Sequence, residues 1–359
     1  MKHRPSRRQR TTATISDVAS KAGVSPMTVS RVLNGETSVR PATRELVNAA
    51  IAALSYSPNP AARSLAGAQP IRIGLLYSNP SAAYLSEFLV GSLDCATRAN
   101  VQLVVEKCDA GEHADAAARR LLAGGVEGIV LPPPLCDSQG LLAVLREMDG
   151  LAVTVASGDP SPGFSAVSID DHRAAFEMTR HIAALGHQRI GFIIGNPDQT
   201  ASARRLAGYR DAIAAVGMAY DEALVVQGLF TYRSGLDVAE QLLVVENPPT
   251  AIFASNDDMA AATVAVAHRH GLDVPGDLTV CGFDDTALAT TIWPELTTIH
   301  QPITDMSLAA VELLAKEIRG RRAGQREEPS HIQLDFTLVR RQSDAAPRRR
   351  PPVVASRPS

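Results

Sequence analysis

Apolar side chains recur at helical spacing along the first part of this chain and in unbroken runs along the rest. Val18 and Ala22 share one face at i, i+4. Val29, Val32 and Leu33 point inward in a second segment, and Leu46, Ala50, Ala53 and Leu54 line one side of a third, over residues 41–55. From residue 71 the pattern changes. Strand-like runs fall at 71–77, 101–106, 128–131, 151–156 and 166–169, and a second set at 189–194, 224–227, 250–254, 278–283 and 297–301. Helical segments separate them, among them 84–100, 113–123, 171–185, 202–216, 234–244 and 258–270. Continuous rather than alternating apolar strands predict parallel sheets covered on both faces. Two such βαβ sets in tandem predict two doubly wound α/β subdomains, with a ligand crevice at the carboxyl ends of their strands.

The polar residues around the first two helical segments sharpen the picture. Thr14 is placed to cap the first, with Asp17 three positions on for the reciprocal bond of a capping box. Gly23 supplies a tight turn, Val24 fills the gap, and Ser25-Pro26 opens the second helix, Ser as cap and Pro at the first helical position. Pro26, Met27, Thr28, Ser30 and Arg31 are left facing outward. This is a helix-turn-helix pattern, the way a reading helix is presented to a DNA major groove. Residues 58–70 read as a linker, with a helix-prone centre between prolines.

The formal net charge of the 359 residues is −3, which conceals an asymmetry. Residues 1–67 carry ten basic and three acidic side chains, a balance of +7, and the remainder is at −10. A basic head on an acidic body suits a DNA-binding module joined to a sensor. The arginines of residues 1–13 (Arg4, Arg7, Arg8, Arg10) form a basic tail, expected to be disordered and either to add salt-dependent affinity for DNA or simply to solubilise. The four cysteines are scattered without a CxxC pair, as expected of reduced thiols rather than a zinc site. No metal or cofactor is expected. His181 and His187 look like helix-end residues rather than a metal pair. No apolar run reaches the ~20 residues of a membrane span and the start of the chain lacks an apolar signal core, so a cytoplasmic protein is expected. No GxGxxG follows the first strand, and there is no Walker A loop or nucleophile elbow, which argues against an enzyme. Residues 343–359, rich in Pro and Arg, are expected to be a disordered tail.

The run Asp17-Val18-Ala19, Ala22-Gly23-Val24-Ser25 and Thr28-Val29-Ser30-Arg31-Val32-Leu33-Asn34 resembles the lac repressor/galactose repressor family of bacterial transcription regulators. So do Tyr56-x-Pro58-Asn59-x-x-Ala62-Arg63-x-Leu65-Ala66, Arg205-Leu206-Ala207-Gly208-Tyr209, Asn256-Asp257, Gly282-Phe283-Asp284-Asp285 and Leu296-Thr297-Thr298-Ile299-His300-Gln301-Pro302. The resemblance implies a helix-turn-helix domain (14–57), a hinge helix (58–70) and an effector-binding and dimerisation domain (71–342). The latter would divide into 71–169 with 300–329 and 170–299 with 330–342. It also implies a homodimer on a near-palindromic double-stranded operator. DNA contacts would come from Thr14, Ser25, Pro26, Met27, Thr28, Ser30, Arg31 and Asn34, and from the hinge residues Asn59, Ala62, Arg63 and Leu65. Leu65 would be wedged into a central minor-groove step. Arg31 can clamp a guanine or hold a phosphate, whereas Pro26 and Met27 offer only apolar readout. The terminal residues 344–359 contain four prolines and no heptad seam, which favours a dimer over a tetramer.

For the sensor, the resemblance places Tyr84, Leu85, Arg205, Phe230, Asn256 and Asp284 on the effector. Trp293 would line the pocket or pack between subdomains, and Gln301 would contact ligand or serve as a hinge. One aromatic face with carboxylate, amide and guanidinium groups suits a sugar or sugar acid. A purine is the alternative, because Ala83-Tyr84-Leu85 also resembles purine-responsive members. A sugar-binding protein with no DNA role is disfavoured by residues 1–67.

Overall fold

The computed structural model describes residues 13–33, 39–54, 56, 70–108 and 112–348. The chain divides into two compact units, Met1–Pro70 and Ile71–Ser359.

In the first unit, helices α1 (Ile15–Ala22), α2 (Pro26–Leu33) and α3 (Pro41–Leu54) enclose a small core of Val18, Ala19, Val29, Val32, Val47 and Ala50. The expected capping box is present. Asp17 N–H donates to Thr14 Oγ1, while Thr14 N–H donates to Asp17 Oδ2 at 2.7 Å. Gly23 ends α1 at φ 65°, the left-handed conformation glycine adopts without strain. Two details differ from the sequence reading. The buried stripe of α3 is Val47 and Ala50, flanked by half-buried Ile51 and Leu54, whereas Leu46 is 58% exposed and Ala53 is exposed. Both stripes contain Ala50 and Leu54, but the bulkier pair Val47 and Ile51 rotates the packed face. Leu33, at the end of α2, is also exposed rather than inward.

The second unit holds two six-stranded sheets. The first contains β1 (Ile71–Tyr77), β2 (Val101–Lys107), β3 (Gly128–Leu131), β4 (Leu151–Val155), β5 (Ser165–Ser168) and β11 (His331–Gln333), in the order β11-β5-β4-β3-β1-β2. The second contains β6 (Ile190–Ile194), β7 (Val225–Gln227), β8 (Ala251–Ala254), β9 (Thr279–Asp284), β10 (Thr297–His300) and β12 (Thr337–Val339), in the order β12-β10-β9-β8-β6-β7. All pairings are parallel except β10 with β12. The ten strands read from the sequence are all present, displaced by at most a residue or two at their ends. Their central members are buried along their whole length, as helices on both faces require.

The intervening helices are α4 (Ala82–Ala99), α5 (Glu112–Ala123), α6 (Gln139–Glu147), α7 (Asp171–Ala184), α8 (Thr200–Ala215), α9 (Tyr232–Leu243), α10 (Asp257–Arg269), α11 (Leu288–Thr291) and α12 (Ile303–Arg322). Helix α12 follows the last parallel strand of the second sheet but packs on α4 and on β1, β3, β4 and β5 of the first. The chain then remains with the first sheet through β11, which pairs with β5. The return to the second sheet therefore lies between residues 333 and 337, later than the expected boundary at 330.

Part of the expected disordered tail is ordered. Ser343 and Asp344 are buried. Val280 N–H donates to Ser343 O at 2.9 Å, and Thr297 Oγ1 donates to Asp344 Oδ1 at 2.6 Å. His181 and His187 anchor this segment, His181 on Asp344 Oδ2 at 2.7 Å and His187 on Ala345 O at 2.8 Å. Composition misled here because the Pro and Arg density lies past residue 346, whereas Ser343 and Asp344 supply the bonds. All four cysteines are buried and free, and no helix among the described residues is long and apolar enough to cross a membrane.

Candidate functional site

The outward face of α2 carries the residues expected to read DNA. Met27 is 64% exposed, Pro26 and Arg31 are exposed, and Thr28 and Ser30 are half-buried. Ser25 holds the helix start, its Oγ accepting from Thr28 N–H at 3.1 Å and lying 2.9 Å from Thr28 Oγ1. Thr14 and Ser25 are thus both capping residues and exposed. Asn34, Asn59, Ala62, Arg63 and Leu65 lie outside the described residues.

In the second unit the carboxyl ends of the strands face one another across a partly open cleft of about 430 Å³, open solvent included. Six of the eight expected effector residues line it: Tyr84, Arg205, Phe230, Asn256, Asp284 and Gln301. Each is placed by a chain reversal beyond a strand. Tyr84 lies in the first turn of α4, whose cap Ser81 also lines the cleft and donates to Asp258 Oδ2 at 2.7 Å. Asn256 caps α10, with Oδ1 accepting from Met259 N–H at 3.0 Å and Nδ2 donating to Phe230 O at 3.1 Å. Asp284 ends β9 and accepts from Gln301 Nε2 at 3.1 Å.

Phe230 sits against Gly195, where a Cβ would overlap its ring. Ala156, Phe230 and Asp284 all line the cleft with positive φ (58°, 59° and 103°). Backbone strain of this kind is held by surrounding structure and concentrates at ligand sites.

Arg205 is buried and has defined partners. Nε donates to Asp171 Oδ1 at 2.7 Å, Nη1 donates to Ser255 O at 2.6 Å, and Nη1 lies 3.8 Å from Asp284 Oδ1. The guanidinium carbon stands 3.5 Å from the centre of the Phe283 ring. Its neighbour Arg204 turns outward and donates to Gly158 O. Burial pushes the Asp284 carboxyl well above its ordinary range, with Arg205 opposing the rise and Asp257 and Asp258 adding to it. Burial likewise raises Asp171, against Arg205, and pushes Asp257 up to about 7 despite hydrogen bonds from Thr298 and Thr286. The Tyr84 hydroxyl, Asp171 Oδ2 and Gln301 Oε1 are buried with no hydrogen-bond partner. Unpaired polar atoms of this kind are costly unless a ligand or water meets them.

Two expectations are corrected. Leu85 is half-buried and off the cleft wall, because it follows Tyr84 by about 100° around the helix. Trp293 is 74% exposed and neither lines the cleft nor packs between subdomains. The sequence reading also missed Ser81, Gln199 and Asp171. Ser81 and Asp171 were legible as polar residues at helix starts after strands, the position from which such residues reach a crevice.

Asp137, also missed, ties one side of the cleft to the other. It follows β3 of the first sheet, yet Oδ2 accepts from Thr200 N–H at 2.9 Å and Oδ1 from Thr200 Oγ1 at 2.8 Å, at the start of α8 beside the second sheet. Ser157 Oγ donates to the same Oδ1 at 2.6 Å. A carboxylate at a helix N-terminus is stabilised by the exposed N–H groups. Since α8 carries Arg205 and Gln199 precedes it, Asp137→Ala is expected to weaken effector binding about tenfold, a loss of ~1.4 kcal/mol. Calorimetric titration of the variant checks this, and unchanged affinity would dismiss the tie.

The pattern of bacterial regulatory proteins of the lacI family matches residues 14–59, and a periplasmic binding protein-like domain matches residues 179–343. Catabolite control protein A of Priestia megaterium is 32% identical over 332 residues, which cover 92% of this chain and 98% of that protein. The chain belongs to the LacI family. As a LacI-family member it is a DNA-binding transcription regulator rather than an enzyme. Among solved structures it is similar to the transcriptional regulator CelR–cellobiose complex, with a TM-score of 0.71 at 32% identity, covering 92% of this chain and 99% of that one. It is also similar to the lac repressor dimer bound to operator and the anti-inducer ONPF, with a TM-score of 0.70 at 29% identity, covering 94% and 100%.

Proposed function

We propose that this regulator represses genes of carbohydrate uptake or catabolism. It acts in the cytoplasm as a homodimer on a near-palindromic operator and takes a sugar or sugar derivative as effector. The observation carrying this reading is the cleft itself. Tyr84, Arg205, Phe230, Asn256, Asp284 and Gln301 converge on a space that offers two aromatic rings and polar groups from several directions. That combination fits a ring with an apolar face and a polar rim. The CelR complex with cellobiose supports it by likeness of fold and sequence. Cross-cleft bonds such as Asp137–Thr200 and Ser81–Asp258 give the ligand something to reinforce or compete with, and it changes DNA affinity only by preferring one arrangement of the cleft over another.

The test is a thermal-shift survey of sugars, followed by fluorescence anisotropy on operator DNA with and without the sugar that stabilises. A change in operator affinity of tenfold or more is expected, and an unchanged affinity would count against gating. The hinge assignment carries its own expectation. Leu65→Ala should weaken specific operator binding by a few kcal/mol, since its wedge opens the central step, while leaving sugar affinity intact. Equal operator affinity in the variant would remove Leu65 from the hinge role.

A further inference from the structure

The cleft is rich in hydrogen-bond acceptors, and its positive charge is already compensated. Arg205 is the single cationic side chain among the lining residues. Its guanidinium is engaged by Asp171 at 2.7 Å and by Ser255 O at 2.6 Å, has Asp284 at 3.8 Å, and has one face covered by the Phe283 ring. Asp258 stands behind Ser81, and Asp257 accepts from Thr298 and Thr286. Two carboxyl groups therefore stand against one guanidinium, and two more lie close enough to act on Asp284. Asp257, Asp258 and Asp171, which together with burial push the Asp284 carboxyl up, would equally oppose a negative charge brought in by a ligand.

Hydrogen bonding selects in the same direction. Gln301 lines the cleft, and its Oε1 is buried without a partner and can only accept. A hydroxyl group satisfies such atoms by donating. A phosphate or carboxylate has only acceptor oxygens to offer, so it would leave them unpaired and add repulsion.

From this geometry we infer that the cleft takes an uncharged polyhydroxylated ligand and rejects phosphorylated and acidic counterparts, because Asp171 neutralises Arg205 from within. The inference narrows the carbohydrate reading above and rests on it. The Phe230 ring would lie against the apolar face of the sugar, while Asp284, Gln301 and Asn256 meet its hydroxyls. Arg205 contributes as half of an ion pair, donating a hydrogen bond without a net charge for an anion to pair with.

The test titrates the full-length protein calorimetrically with glucose, ribose and cellobiose, with glucose 6-phosphate, ribose 5-phosphate and gluconate, and with hypoxanthine and guanine. At least one uncharged sugar is expected to bind, with its anionic counterpart weaker by about a hundredfold, as one uncompensated like charge within a few ångströms implies. A phosphate ester or acid that binds as tightly as its neutral parent overturns the inference. A purine that binds while no sugar does overturns the carbohydrate reading and supports the charge rule. A panel in which nothing binds overturns both. Asp171→Asn removes the carboxylate while keeping shape, and is expected to narrow the preference for neutral over anionic sugar by tenfold or more. A preserved ratio in a folded variant overturns the role given to Asp171, and the wild-type comparison still decides the charge rule if that variant does not fold.

Discussion

Replacing Arg205 by alanine is expected to destabilise the sensor unit by ~3–5 kcal/mol at neutral pH, because it leaves buried Asp171 and its neighbour Asp284 without their cation. The corresponding fall in Tm is about 10 °C for a unit of this size. Effector binding should be lost with it. The effect has a pH signature. Burial already raises the Asp171 carboxyl with the guanidinium in place, and removing Arg205 raises it further. A carboxyl whose folded pKa lies above its unfolded value of ~3.9 costs stability above that pH and none below it. The deficit relative to the parent should therefore be largest near pH 7 and shrink as pH falls toward 4. Urea unfolding at pH 7 and pH 5 measures both quantities. A variant as stable as its parent at pH 7 would mean that the Asp171 pair contributes nothing. Arg205→Lys should recover part of the loss, since an ammonium restores charge but cannot span Asp171 Oδ1 and Ser255 O as the guanidinium does.

How much of this was readable from the chain follows from which signals are local. The capping box of Thr14 and Asp17, the Gly23 turn and the apolar β strands depend on spacing and residue type, and all appear in place. The six cleft residues came from motifs shared with the family, and for Asn256 and Asp284 the strand ends of doubly wound sheets, which point at one crevice, gave the same answer. Trp293 and Leu85 failed for the same reason as each other. The family motif for Leu85 and residue type for Trp293 suggested a ligand contact, but helical phase and loop course decide direction, and neither is written locally. Asp137 was invisible because it acts on a partner far along the sequence, Thr200. The docked Ser343–Asp344 segment is another non-local case: its bonds are to Val280, Thr297 and His181, which composition of the tail cannot reveal.

Arg31→Ala is expected to cut specific operator affinity by ~2–6 kcal/mol, because a bidentate contact to guanine is worth ~1–3 kcal/mol and a homodimer makes it twice. That is a loss of about 30-fold to 10⁴-fold. On α2 the side chain is exposed beside Pro26 and Met27, neither of which can donate a side-chain hydrogen bond. On the proposed reading Arg31 is the charged base reader of that face, and its removal should relax preference at one position of each half-site. A phosphate-holding arginine would behave differently. Its loss would weaken specific and non-specific DNA alike, and would lower the slope of log affinity against log salt by about one per contact, hence about two per dimer. Anisotropy titrations on operator and on scrambled duplex, each at several salt concentrations, separate the two roles. The base-reading role requires a loss confined to operator with the salt slope unchanged. An equal loss on scrambled DNA with a shallower slope would transfer Arg31 to the backbone, and leave apolar contacts from Pro26 and Met27 as the only readout from this face.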